Sequence, residues 1–440
     1  MDLDRSTVGL IGVVVTLLLV FVRVPIGVAM GAVGVCGIAA LTSWNAAIGI
    51  SKAIPYEIIG DWNLSAVPMF LLMGYIATAA GLTQGLFAAT RIFFGRVPGA
   101  MASSTVIASA LFSSAAGSSV ATAAAFSRIS VPEMLNARYD PALATGTVAA
   151  AGTLGSMIPP SVLMIVYGIL ADVSIAQMFM AGLVPGLLTA FMFIAYVTLR
   201  VLRNPSLAPP DPTRYDAAAK RQALLDVWPL PVLILGVLGG IFSGLFTATE
   251  AGAIGAALAC VIAALKRAMR WHVMRQALRD TAEGTASIFI IVVGAAIFSR
   301  FMSFSQLPGA MAQWMLSMTD STLAMILAIS LIYLLLGTVL EGISLMLLTI
   351  PLLLPLLEAA DVHMVWFGIL VIKLLEIGLC TPPVGMNVYV IKSALGQRVP
   401  LGTIFRGVGG FILVDLCTLG LLIAFPQIAL WLPTSLGTAT

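Results

Sequence analysis

The chain has 440 residues, of which 60% are hydrophobic and 9% charged, with a net charge of +3 and a mean hydropathy of +1.07. Soluble domains carry about 25% charged residues, so this composition excludes a water-soluble globular protein, and the small positive balance says nothing of nucleic acid. Apolar blocks reach the roughly 20 residues that cross a lipid bilayer as a helix and lack the period-two alternation of barrel strands, which predicts an all-α polytopic membrane protein.

In chain order, the clearest blocks are 7–22, 64–81, 177–199, 227–246, 248–265, 284–299, 322–340 and 403–433. The first has the look of a signal peptide, but Arg23 and Pro25 follow it and a second apolar block comes at once, so it reads as a retained helix. Segments 83–95 and 270–283 are short and mixed in polarity. They read as interfacial amphipathic helices at matching places in two halves.

Two hydrophobic stretches, about 100–135 and 322–359, are broken at their centres by small polar residues, over Ser113–Ser119 and Gly337–Ser344. Their arms read as short for a full crossing, which predicts re-entrant helical hairpins with Gly117 and Gly342 at the turns. Each is followed by an apolar helix interrupted by two prolines. One covers about 141–172, broken at Pro159-Pro160; the other covers about 363–395, broken at Pro382-Pro383. Hairpin tips and unwound helices leave backbone groups unpaired, which is tolerated in a membrane only inside protein or beside a polar cavity. Their carbonyls and hydroxyls are oxygen donors suited to a hard cation such as Na⁺, and half-helix N-termini favour an anion.

The stretch Leu202–Asp226 is the most polar inside the chain. Pro205, Pro209, Asp211, Arg214, Lys220 and Arg221 mark it as an aqueous linker. It separates a first half, 1–201, from a second, 227–440. Pro159 recurs as Pro382 and Pro132 as Pro355, both 223 residues on; Gly31 recurs as Gly255, 224 residues on. Basic residues cluster at Arg200–Arg221 and again at Lys266–Arg279, which places both clusters in the cytoplasm. Arg23, Arg91 and Arg96 fall on that side too. The turn after the first span then faces in, while its counterpart near residue 245 faces out. That is an inverted-topology repeat, an architecture of secondary transporters.

Intramembrane charges are functional candidates by default. Lys373 and Glu376 stand three apart on one helix and can pair with each other. Glu341 lies beside the second hairpin tip, where it can face an ion or a substrate. Glu250 reads as a helix cap, and Arg128 and Glu133 as water-facing. Cys36, Cys260, Cys380 and Cys417 lie far apart in apolar blocks and read as packing residues.

The stretches "AGSSVATAAAFSRISVPEMLNARYDPALATGTVAAAGTLGSMIPPSVLMIVYG", "FTATEAGAIGA" and "WFGILVIKLLEIGLCTPPVGMNVYVIK" strongly resemble the large membrane subunit of tripartite ATP-independent periplasmic (TRAP) transporters, the C4-dicarboxylate, DctM-like permeases. The resemblance covers essentially the whole chain. It implies an elevator-type secondary transporter of the bacterial inner membrane, driven by Na⁺. The implied partners are a small membrane subunit of about four helices and a soluble periplasmic binding protein that delivers a small carboxylate. Carried over by motif, a first Na⁺ region comprises Ser114, Gly117 and Ser118 at the hairpin with Gly152, Gly155, Ser156 and Pro159 at the broken helix. A second comprises Thr338 and Gly342 with Gly378, Thr381 and Pro383. Glu341, Asn387, Ser119 and Ser161 are further candidates for substrate or ion contact. Many family members carry Asp where Glu341 stands and Asn where Leu374 stands.

Two other transport readings stand beside this one: the membrane subunit of an ATP-driven permease, and a passive channel. An enzyme is not expected. Tyr139-Asp140 is half of an intramembrane aspartyl protease signature without its second carboxylate, and His272 and His363 form no His-Glu-x-x-His zinc pair.

Overall fold

The computed structural model describes residues 4–83, 85–95, 97–209, 216–318 and 321–436; Arg96, Asp211 and Arg214, used above, lie outside them. The described chain is all-helical. The first half runs α1 (Arg5–Phe21), α2 (Ile26–Leu41), α3 (Trp44–Ile59), α4 (Ala66–Ala79), α5 (Leu86–Phe94), α6 (Ala100–Ala116), α7 (Ser119–Asn136), α8 (Pro141–Met157), α9 (Val162–Leu170) and α10 (Ile175–Arg203). The second runs α11 (Ala217–Val227), α12 (Pro229–Phe242), α13 (Ala248–Leu265), α14 (Trp271–Ser305), α15 (Leu307–Met318), α16 (Thr322–Gly337), α17 (Gly342–Ala359), α18 (Met364–Cys380), α19 (Met386–Leu395), α20 (Leu401–Ala424) and α21 (Gln427–Ser435). Five of these helices are long and apolar enough to cross a membrane alone, and three bent pairs add to them: α3 with α4 at 59°, α8 with α9 at 42°, and α11 with α12 at 46°.

Local chemistry sets the boundaries. Ser43, Asp140, Ser174 and Ser321 each accept a backbone N–H at the start of α3, α8, α10 and α16. Thr247 and Glu250 form a reciprocal capping box on α13, so Glu250 is the helix cap its position suggested. Asp140 is likewise a cap, and the Tyr139 hydroxyl accepts from Met101 N–H at 3.2 Å. Half of a protease signature is thus a helix start.

Packing between helices rests on small residues, as expected where lipid removes the hydrophobic drive for association. α2 and α14 approach so closely that a Cβ on Gly294 would collide with the carbonyl oxygen of Gly27. Contacts recur across the two halves: α2 packs on α14 as α13 packs on α4, α8 on α20 as α18 on α10, and α7 on α19 as α17 on α9.

Three expectations change in detail. Segments 83–95 and 270–283 are not counterparts. The second is the start of the 35-residue α14, while the helix 221 residues after α5, from Leu86 to Leu307, is α15. Place in the half and mixed polarity paired them, since each sets arginine among apolar residues. The block 403–433 is two helices, α20 and α21, parted at Phe425–Pro426. The stretch 202–226 is not simply loop: Leu207 carbonyl accepts from Asp140 N–H at 2.8 Å, α11 packs on α5, and Lys266 Nζ donates to the Asp226 carbonyl at 3.0 Å.

Candidate functional site

The first hairpin forms because α6 cannot continue past Ala116. Gly117 adopts φ 60°, a left-handed conformation that costs other residues about 1–2 kcal/mol. Ser118 follows in extended form and accepts Ala121 N–H at 3.4 Å as the cap of α7. The tip lies directly on the broken helix. A Cβ on Gly117 would meet the Pro160 carbonyl oxygen at 3.2 Å, one on Gly155 the Ser118 carbonyl at 2.7 Å, and one on Gly152 the Ala123 side chain at 2.9 Å. Ser119 and Ser156 share a hydrogen bond of 2.6 Å, and the Ser119 hydroxyl also reaches the Thr153 carbonyl at 3.4 Å. α8 stops at Met157, the Pro159-Pro160 peptide is cis, and α9 begins at Val162. Ile158–Ser161 is buried throughout. The Ser113 and Ser161 hydroxyls are buried without a hydrogen-bond partner, whereas Ser114 bonds back to Ala110 carbonyl at 3.4 Å.

The second hairpin turns differently. α16 ends at Gly337, residues 338–341 make the turn, and Gly342 is already the first residue of α17, without positive φ. The close approach belongs to Gly337: a Cβ on Gly378 would lie 2.6 Å from the Gly337 carbonyl, while one on Gly342 meets only the Leu375 and Leu163 side chains, at 3.7 and 3.8 Å. Glu341 caps α17, accepting Ser344 N–H at 3.1 Å and the Ser344 hydroxyl at 3.0 Å. Thr338 and Thr381 donate to carbonyls of their own helices, Leu335 and Ile377, at 2.8 and 2.6 Å. The Pro382-Pro383 peptide is also cis, but both prolines are exposed, so this break is open where the first is closed.

The hairpin arms are α6, α7, α16 and α17, of 16 to 18 residues. At 1.5 Å per residue they are about 24–27 Å long, longer than the polar interruptions suggested.

The two halves meet here. Asn387, just past the second break, donates Nδ2 to the Ala149 carbonyl on α8 at 3.2 Å, and Cys380 Sγ lies 3.3 Å from the same oxygen. Asn387 therefore ties the second broken helix to the first. Its Oδ1 is buried without a partner.

A buried ionic cluster stands beside these contacts. Lys373 is fully buried and donates to Asp415 at 2.6 Å, to Glu376 at 3.4 Å and to the Thr189 hydroxyl at 3.2 Å. The pair read from spacing is real but incomplete. Asp415 on α20 is the nearer partner, and Glu376 Oε1 has none. A lone carboxylate in a 24-residue apolar helix was the signal for Asp415.

Residues 13–428 match the family described as "Tripartite ATP-independent periplasmic transporter, DctM component". The chain belongs to this family. The permease is 33% identical over 378 residues to the sialic acid TRAP transporter large permease protein of Vibrio cholerae, covering 85% of this chain and 87% of the relative. It is 32% identical to the C4-dicarboxylate TRAP transporter large permease protein of Pseudomonas aeruginosa, covering 87% and 88%. The solved YdaH transporter of Alcanivorax borkumensis shares the fold, at a TM-score of 0.60 and 17% identity over 85% of this chain and 87% of that one. The protein is thus the large subunit of a TRAP transporter, a multi-pass protein of the bacterial inner membrane and a transporter rather than an enzyme. Permeases of this kind work with a small membrane subunit and a periplasmic binding protein.

Proposed function

We propose that this TRAP permease imports a small carboxylate, a C4-dicarboxylate or similar acid, by an elevator movement coupled to Na⁺. The observation that carries this reading is that each hairpin tip rests on a broken helix at backbone-to-backbone distance, at Gly155 on Ser118 and at Gly378 on Gly337. The first junction brings carbonyl and hydroxyl oxygens together in the protein interior, where the Ser113 and Ser161 hydroxyls are buried with no partner, and the second brings such oxygens together at an open break. Such oxygens fit Na⁺, which would supply the positive charge that lets these dipoles converge. Recurrence of helix contacts between the halves supports the repeat on which an elevator depends. The relatives' names, for sialic acid and C4-dicarboxylates, favour an acid as cargo.

The test is uptake into liposomes holding the permease and its small membrane subunit, with the binding protein and a labelled organic acid outside and no ATP. Accumulation that requires both an inward Na⁺ gradient and the binding protein supports the reading. Uptake indifferent to Na⁺ favours a passive pore, and uptake that needs ATP an ATP-driven permease. At the residue level, Ser118→Ala and Thr338→Ala are expected to raise the Na⁺ concentration for half-maximal uptake several-fold. Loss of the Ser118 cap itself costs about 1 kcal/mol, so membrane abundance should stay near normal. Unchanged Na⁺ activation in both variants overturns the assignment.

A further inference from the structure

The linker helix α11 has two unlike faces. Asp216 caps its start, accepting Ala219 N–H at 2.7 Å. On one face Ala223 is buried and the helix packs on α5. α5 in turn lines an apolar slot with both arms of the first hairpin, beside Phe87, Phe112 and Phe126. The other face carries Lys220, Arg221, Leu224 and Leu225. They stand at i, i+1, i+4 and i+5, so a helix sets them side by side. All four are exposed, the leucines at 59% and 52%.

No acid joins this face. The acidic residue inside α11 is Asp226, whose carboxylate accepts from Gln222 Nε2 at 3.1 Å and whose carbonyl accepts from Lys266 Nζ at 3.0 Å. That second bond brings the end of α13 to the end of α11, with Leu265 and Arg267 both exposed beside it. Lys220, Arg221 and Arg267 form no ion pair among the described residues. The level is that of the cytoplasmic membrane surface. The half-buried Trp228 follows at the start of the apolar α12, where tryptophan marks an interface, and α11 leans 46° from the axis of α12.

Exposed leucines flanked by free cations have a specific complement. Water satisfies the cations and leaves the leucines wetted. A membrane-protein partner would cover the leucines, but its own cytoplasmic segments carry an excess of Lys and Arg, which sets like charges together. An anionic phospholipid satisfies both, with acyl chains for the leucines and a net negative headgroup for the basic residues. A zwitterionic lipid brings its own ammonium against that same charge.

We infer that α11 lies in the cytoplasmic leaflet and binds anionic phospholipid, with Leu224 and Leu225 among the acyl chains and Lys220, Arg221 and Arg267 on the headgroup phosphates. α11 packs on α5, and α5 leads into α6. The leaflet therefore holds the linker between the halves together with the approach to the first hairpin.

The experiment uses the permease with its small membrane subunit, stripped of lipid in detergent and titrated with phosphatidylglycerol or phosphatidylethanolamine, read by native mass spectrometry. The wild-type complex is expected to hold phosphatidylglycerol more tightly than phosphatidylethanolamine. A basic residue at an anionic surface contributes about fivefold in affinity, so Lys220→Gln/Arg221→Gln should weaken phosphatidylglycerol binding by about 25-fold at low salt. Phosphatidylethanolamine binding should stay unchanged. Arg203→Gln/Arg275→Gln removes two exposed charges elsewhere on the cytoplasmic side and should leave both affinities as they are. In intact membranes, p-benzoylphenylalanine in place of Leu225 should cross-link to phospholipid on illumination. Undiminished phosphatidylglycerol binding in Lys220→Gln/Arg221→Gln, an equal loss in the control pair, or cross-linking from position 225 to the small membrane subunit overturns the inference. These readings need no transport, so they stand or fall apart from Na⁺ coupling.

Discussion

Gly155→Ala and Gly378→Ala are expected to reduce uptake by one to two orders of magnitude with the permease still in the membrane. In each, the new methyl would lie within 2.7 Å of backbone atoms of the facing hairpin tip, at Ser118 for the first and Gly337 for the second. A backbone carbonyl cannot rotate aside as a side chain does, so the tip must lift from the broken helix. Overpacking of this kind costs about 1–3 kcal/mol, which corresponds to about 5–150-fold in the population of the docked state. Two controls separate this from a general effect of adding a methyl. Gly409→Ala has open space around it, and Gly342→Ala meets only side chains, at ordinary contact distances of 3.7 and 3.8 Å; both should keep near-normal uptake. If Gly342→Ala proved as damaging as Gly378→Ala, the close contact at Gly337 would not be what matters at the second tip.

Replacing Lys373 by Met should be the most destabilising single change in the buried ionic cluster. The ammonium is fully buried and faces two carboxylates, Asp415 at 2.6 Å and Glu376 at 3.4 Å, on α20 and on its own helix. Removing one partner of a buried ion pair costs about 3–5 kcal/mol, because the remaining charge has lost its compensation. Here two carboxylates lose it together. Asp415→Asn leaves Lys373 with Glu376 and the Thr189 hydroxyl, and should cost less. Thermal unfolding of the purified complex, followed in detergent, should rank wild type above Asp415→Asn and Asp415→Asn above Lys373→Met. A Lys373→Met complex that melts with the wild type contradicts the role given to the cluster.

Much of this arrangement was legible in the chain. Low charge and long apolar blocks set the all-helical membrane class, and the prolines at Pro159-Pro160 and Pro382-Pro383 mark both helix breaks where the structure has them. Gly117 was legible as a turn because it interrupts a polar stretch, and its φ is positive. Gly342 misled for the same reason: it stands in the same pattern, but the turn is made by the four residues before it and Gly337 carries the close approach. Lys373 and Glu376 could be paired from their spacing on one helix. Asp415 is 42 residues further on, and no local period connects it to them.

The sequence by itself determined that the chain is helical and membrane-embedded, where the two Pro-Pro helices break, and which family's motifs it carries. These follow from properties each segment holds alone: apolar length, missing amide donors at proline, and side chains that cap. The tertiary structure decided which partners meet: tip one on α8, Gly337 on Gly378, Asn387 on Ala149, Asp415 on Lys373, and α5 against the first hairpin around an apolar slot. Small residues permit close approach without saying to what, and a buried charge demands a counter-charge without saying from where. Only the packing of distant helices supplies both answers.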